Sequence, residues 1–390
     1  MRPVLRFKEF TNDWGMCKLG DVCMGFDYGI GASATDFDGI HKYIRITDID
    51  ENSHKYIGNP IVSPDCIPER KYLVNTNDIL FARTGASTGK TYLYNEKDFP
   101  LYFAGFLIRF NVNKANPSFI FYNTLTRNYN NWVKLTSARS GQPGINSEEL
   151  KNYSFECPSI EEQTKIATFL NLYYKKIELQ KKKIEQLNKL FNKAIDKISD
   201  LIDKKISFCQ CYVKASEGGT PSTTYTEYYE NGTIPFVKIE DLYKKFIYNT
   251  QTFITELGLK KSSAWLIPIN SVIYSNGATI GEISLNKIEV ATKQGILGIV
   301  PQEFLLSEFL YYYMKTEYFR REICKITTHG TMMCAYLKDI DKIDMYIPDI
   351  STQKNELNKL NSIYKKIELE KQKLEAMEKY KQGLLQQLFV

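Results

Sequence analysis

The chain has 390 residues, of which 43% are apolar and 25% charged, with 51 basic against 45 acidic side chains. That length provides two or three globular units, each large enough for a full core. No run approaches the roughly 18 consecutive apolar residues of a membrane span, and Met1-Arg-Pro-Val-Leu-Arg-Phe7 has no apolar signal core, so a cytoplasmic protein without membrane contact is expected. The eight cysteines and three histidines have no metal-ligand spacing, the closest pair being Cys209-x-Cys211, which predicts reduced thiols and no metal site.

The first 158 residues read as short strands broken by glycine turns, following an N-terminal arm over 1–17. Tyr28–Asp38, rich in Gly, Ala and Ser, suits either a binding loop or a connector. Ile79-Leu-Phe-Ala82 predicts a strand entering a glycine loop, Tyr92-Leu-Tyr94 a strand leaving it, and Ser118–Leu125 a helix. An α+β unit with a mostly antiparallel or mixed sheet is expected, and 27 tyrosines suit such a sheet-rich composition. The loop Thr84-Gly-Ala-Ser-Thr-Gly-Lys-Thr91 comes close to a phosphate-binding loop but has Thr where the first glycine must stand. Either it is a structural turn, or its backbone amides approach something closely.

Residues 159–207 predict one long helix. Pro158-Ser159 supplies a stop and an N-cap, and Glu161 and Glu162 suit the first turn. A heptad follows: Leu170, Ile177, Ile184, Phe191 and Ile198 on one seam position, Ile166, Tyr173, Leu187, Ala194 and Leu201 on the other, with Gln180 as the polar exception.

Residues 208–348 repeat the first unit. Pro235-Phe-Val-Lys-Ile-Glu-Asp-Leu242 resembles Lys42-Tyr-Ile-Arg-Ile-Thr-Asp-Ile49, and Asn276-Gly-Ala-Thr-Ile-Gly281 resembles Thr84–Gly89. Glu282 replaces Lys90, so a nucleotide loop common to both copies is excluded. Val272-Ile-Tyr274 and Ile283-Ser-Leu285 predict strands, and Ser307–Met314 a helix. Residues 349–390 predict the second long helix, with Leu360, Ile367, Leu374 and Leu388 on one seam position and Ile363, Met377 and Leu384 on the other. Glu370 stands where Gln180 stood, and Lys381 interrupts the seam. The hexapeptide Tyr174-Lys-Lys-Ile-Glu-Leu179 recurs unchanged as Tyr364–Leu369, so the chain is a tandem duplication.

Each helix needs an apolar partner, and the simplest is the other copy. A two-fold-related repeat makes the pair antiparallel, with a domain at each end; separate helical hairpins or an oligomerising coil are the alternatives. The predicted fold is therefore α+β: two tandem-repeat globular α/β domains joined by long helices in an antiparallel coiled coil with pseudo-two-fold symmetry. The helical stretches hold most of the positive surplus, 11 lysines against 7 acids over 159–207 and 8 against 5 over 351–390, leaving the globular parts near neutral. Such a surplus is also common on solvated coiled-coil flanks.

Catalytic signatures fail. Only three residues separate Asp65 from Glu69, too few to bring two strands of a metal nuclease together, and no cofactor loop or methyltransferase tetrapeptide is present. No Ser/His/Asp or Cys/His set recurs in both copies, so the chain is expected to be non-catalytic.

The whole pattern resembles the specificity (S) subunits of type I restriction–modification enzymes. The resemblance is carried by the two domain-plus-helix repeats, Leu5–Trp14 followed by Lys18-Leu-Gly-Asp-Val22, and the two glycine loops. Ser140-Gly-Gln-Pro-Gly-Ile-Asn146 and Cys157–Ala167 with Ile347–Gln353 complete it. It implies target-recognition domains over 1–158 and 208–348, each reading half of a bipartite double-stranded DNA site. The helices over 159–207 and 349–390 would set the spacer and dock two modification (methyltransferase) subunits, and restriction (nuclease/translocase) subunits would join. S-adenosylmethionine, ATP and Mg would then belong to partner subunits, with no cofactor in this chain. The second copy departs from the pattern at Thr331-Met-Met-Cys-Ala-Tyr336, so Gln142 and Asn146 are not carried across.

Base readout uses Arg, Lys, Asn, Gln, Ser and Thr on supported loops. The DNA-binding candidates are Arg83, Thr84, Ser87, Lys90, Arg139, Ser140 and Gln142 in the first domain, and Asn276, Thr279, Lys293, Gln294, His329 and Thr331 in the second. A protein-binding scaffold or oligomerisation protein is the alternative from another class, and the recognition part of a fused methyltransferase or nuclease is a further one.

Overall fold

In the strand Asp78–Ala82 every residue is buried, and the side chains divide by alternation. Ile79 and Phe81 enter one apolar cluster with Ile108, Phe110 and Phe119, while Leu80 and Ala82 enter another with Ile44, Phe103 and Leu107. A sheet covered on both faces explains the continuous apolar run. The computed structural model describes residues 2–201, 204–277, 279–327 and 333–389. It divides the chain into two units, Met1–Lys181 with Lys373–Val390, and Lys182–Gln372, so each takes part of both long helices.

In unit 1 the sheet runs in the order Cys23–Tyr28, Leu107–Val112, Asp78–Ala82, Thr91–Leu93, antiparallel throughout. Unit 2 repeats it with Tyr212–Glu217, Ile296–Pro301, Val272–Ser275 and Ile283–Asn286, and adds Phe246–Ile247 as a parallel edge strand. The predicted helices are present as Pro117–Asn123 and Ser307–Tyr313. Each is followed by a helix the sequence reading did not anticipate, Arg127–Thr136 and Glu317–Ile326, capped by Thr126 and Thr316. The Arg127 helix is rich in Asn, a weak helix former, and holds its place by burying Tyr129 and Val133.

The repeated Pro158–Gln163 and Pro348–Gln353 segments have a shared structural task. Gln163 accepts from Asn116 N at 2.9 Å and donates to Pro158 O, and Gln353 accepts from Leu306 N at 2.9 Å and donates to Phe304 O and Pro348 O. One amide thus ties the start of each long helix to the sheet-covering helix.

The central helix spans Ile160–Asp196 and the C-terminal helix Ile350–Gln387. Within unit 1, Ile166 and Leu170 share a core with Leu384, Leu385 and Leu388, Tyr173 donates to Met377 O, and Lys181 pairs with Glu378. Within unit 2, Lys183 pairs with Glu370, Phe191 packs on Tyr364, and Ile195 and Ile198 share a core with Leu357 and Leu360. In both units rising numbers on one helix meet falling numbers on the other, which is antiparallel packing. Ile177, Ile184, Ile367 and Met377 are buried along with the polar Gln180 and Glu370, whereas Leu187, Ile363 and Leu374 are half-buried. At the N-terminus, Arg6 Nε and Nη2 each lie 2.8 Å from the buried Glu162 carboxylate, and Leu5 N donates to Gln387 O at 2.8 Å.

Leu170→Ala and Leu360→Ala should each cost about 2–5 kcal/mol of unfolding free energy. Leu179→Ala, on a side chain 59% exposed, should cost less than about 0.5 kcal/mol. Denaturant unfolding reads the difference, and equal losses at all three would remove the seam as the stabilising face.

Unit 2 also holds a buried ammonium. Lys245, its side chain 3% exposed, donates to Tyr312 Oη at 2.7 Å and Asn361 Oδ1 at 2.8 Å and pairs with Glu308. Burial pushes its pKa down, while Glu308 pushes back. Lys245→Met should stay within about 1 kcal/mol of the parent, because charge and desolvation leave together. Glu308→Ala leaves the ammonium buried without its counter-ion and should cost roughly 3–5 kcal/mol; a thermal melt ranking the two the other way would contradict this account.

Candidate nucleic-acid interface

The strand Asp78–Ala82 runs into a corner fixed from both sides. Arg83 N donates to Phe106 O at 3.0 Å, and Arg83 O accepts from Ile145 N at 2.9 Å. Beyond it the glycine loop turns through Gly85 and Gly89, at φ +79° and +86°, the left-handed region that glycine adopts without strain. The amides of Gly85, Thr88, Gly89 and Lys90 donate to Pro143, Gly85, Ala82 and Ser87 carbonyls. Of the two readings of this loop, the hydrogen bonds favour the structural turn, since those amides are already occupied.

The corner opens on a cleft of about 960 Å³ in unit 1. Arg83, Thr84, Ser87 and Gln142 line it, four of the expected contacts brought together from two separated segments. Arg139 and Ser140 are exposed but outside the lining, and Arg139 is engaged by Glu149 and by Thr136 O. Lys90 is placed differently from its expected role as a DNA contact. It is 9% exposed, with Nζ donating to Ile49 O at 2.9 Å and Glu51 Oε1 at 2.6 Å. That contact, with the Ser87 hydroxyl, holds the Glu51 carboxyl below its usual pKa.

Sequence reasoning passed over Arg45, Thr47 and Phe106, which also line the cleft. The repeat held a signal for Arg45: Arg45 N donates to Asp48 Oδ2 at 2.8 Å, and Lys238 N to Asp241 Oδ2 at 2.9 Å, inside the two matching segments. The Gly-rich loop after Tyr28 also lines the cleft, and the lining contains no carboxylate.

The corresponding corner of unit 2 is built differently. Asn276 N donates to Gly295 O and Asn276 O accepts from Ala335 N, so Asn276 stands where Arg83 stands, not where Thr84 does. The reason is a loop shorter by one: Phe81 pairs with Thr91, ten positions on, and Tyr274 with Ile283, nine on. Asn276 is 1% exposed, its Nδ2 donating to Ala335 O at 3.2 Å, so this side chain faces inward. Its Oδ1 has no partner among the described residues. Thr279, Lys293 and Gln294 are exposed, and His329 and Thr331 lie outside the described residues. Among the described residues no cluster of His, Cys, Asp and Glu could hold a metal ion, and no helix is long and apolar enough to cross a membrane.

Residues 11–189 and 211–379 match the family of the type I restriction modification DNA specificity domain. The chain belongs to that family. It is similar to the type I restriction enzyme MjaVIII specificity subunit of Methanocaldococcus jannaschii, 23% identical over 97% of this chain and 94% of that one. Among solved structures it is similar to a chain described for the complex assembly and conformational transition of the type I R-M system, with a TM-score of 0.63, 15% identity and 97% coverage of both. The type I restriction-modification S subunit from M. genitalium is similar with a TM-score of 0.55 and 16% identity, over 100% of this chain and 99% of that one. As a specificity subunit the chain serves DNA sequence recognition and is a non-catalytic component of its enzyme.

Gly29 and Gly218, at matching positions after the first sheet strand, let two backbones meet beside these corners. A Cβ on Gly29 would lie 2.3 Å from Phe103 O, and one on Gly218 2.0 Å from Thr292 O. Alanine at either should destabilise its unit by about 1–3 kcal/mol or more. Gly31→Ala, with nothing within 4 Å, should change stability by no more than about 0.5 kcal/mol in the same thermal melt. Similar losses at Gly29 and Gly31 would show that close approach is not what Gly29 provides.

Proposed function

We propose that each unit of this specificity subunit reads one half of a bipartite double-stranded DNA site, unit 1 through the cleft beside Arg83 and unit 2 through the corner around Gly295. The observation that carries this reading is one scaffold with two different corners. The sheet order and the hydrogen bonds at Arg83 and Asn276 repeat, yet the side chains displayed there differ. Repeated frames bearing different polar groups suit two half-sites of different sequence. The half-buried Thr84 and Ser87 and the exposed Gln142, Thr279, Lys293 and Gln294 are the remaining contacts in this reading.

The long helices set the unread spacer and dock two modification subunits, with restriction subunits joining the complex. S-adenosylmethionine, ATP and Mg act in those partners, in the cytoplasm. The Lys-rich flanks of the helices and the exposed Leu172, Leu179 and Leu369 support a docking role, because apolar side chains stand among charges there.

Replacing residues of about 18–157 with the first unit of another family member should change one half of the methylated motif and leave the other intact. Genome-wide mapping of methylated positions in cells carrying the full complex reads this directly. A change in both halves would show joint reading and end the two-module proposal.

A further inference from the structure

The Arg83 guanidinium is held on three sides. Nε donates to Gly105 O at 3.0 Å, and Cζ lies 5.1 Å from the Tyr28 ring centre and 5.8 Å from that of Phe106. Both rings stay partly open, at 40% and 60% exposure. The two terminal nitrogens have no acceptor among the described residues. Nearby arginines differ: Arg45 gives Nε and Nη2 to Asp48 at 2.8 Å each, and Arg139 is engaged by Glu149. Arg83 is therefore a fixed, flat, two-pronged donor in a cleft without carboxylates.

We infer that Arg83 reads a guanine in the half-site of unit 1, its terminal nitrogens donating to O6 and N7 at the major-groove edge. This rests on the proposed assignment of one half-site to each unit. A guanidinium fork matches that pair of acceptors. Ring contacts and the Nε bond remove its rotamer freedom before DNA arrives, so little ordering cost remains on binding.

A phosphate contact is the competing assignment, and the repeat argues against it. Backbone positioning is independent of sequence and would be needed by both units, yet unit 2 has dismantled the same arrangement. Strand registers place Glu217 at the position of Tyr28, since Tyr28 pairs with Ile108 and Glu217 with Leu297. Gly295 stands at Phe106 and the inward-facing Asn276 at Arg83. Glu217 Oε1 accepts from Gly295 N at 2.6 Å. A group present in one copy and replaced in the other behaves as a reader of sequence.

The test uses the assembled complex and the methylated motif of the parent protein. The half that changes on exchange of unit 1 should contain an obligatory G·C pair. Replacing that guanine with 7-deazaguanine, which removes N7 and keeps pairing, should weaken binding on the order of 10- to 100-fold. Arg83→Gln should abolish that sensitivity and relax the base requirement at that pair alone. A first half without an obligatory G·C pair, or no guanine sensitive to 7-deaza replacement, would overturn the inference without using a variant. Uniform weakening by Arg83→Gln with an unchanged motif would also overturn it, making Arg83 a phosphate contact. Failure of the two-module reading looks different, because exchange of unit 1 would then alter both halves or neither.

Discussion

The structure depends on the burial of the ends of the long helices in the globular cores. Ile166 and Leu170 close the apolar interior of unit 1 together with Leu384, Leu385 and Leu388, and Leu357 and Leu360 do the same in unit 2 with Ile195 and Ile198. A buried Leu or Ile side chain contributes about 1.5–3 kcal/mol. Each core therefore draws several kcal/mol from residues distant in sequence. The helices are parts of the units, not appendages to them.

The same packing positions the corners at the sheet ends. Gln163 and Gln353 tie each long helix to the helix covering the sheet, and the sheet ends at the corners where Arg83 and Asn276 sit. Gly29 and Gly218 let the chain pass within van der Waals distance of the neighbouring backbone, which keeps the walls close. Duplication has preserved this frame and changed the side chains displayed at the corner.

Charge follows the same division. Several basic side chains of the first unit serve internal structure: Arg6 with Glu162, Arg109 with Asp27, Lys90 with Glu51. A buried or half-buried cation already engaged by an acid partner offers little to a ligand. The globular parts are near neutral overall, and the lysine surplus resides on the helices.

The duplication, the two long helices and their seam were legible in the residues, because periodicity and repetition are local properties of the chain. Leu170, Ile177, Leu360 and Ile367 are buried where the heptad placed them. The helices Arg127–Thr136 and Glu317–Ile326 escaped notice because their stability comes from packing, not from propensity. Lys90 and Asn276 read as surface donors by residue type, and only the tertiary contacts turned them inward. Arg45, Phe106 and Tyr28 reach the cleft beside Arg83 from separate strands and loops, a meeting no spacing along the chain encodes. Residue pattern determined which segments bury apolar surface. Tertiary packing alone decided which polar groups remain available, because that depends on the partners each one meets across the fold.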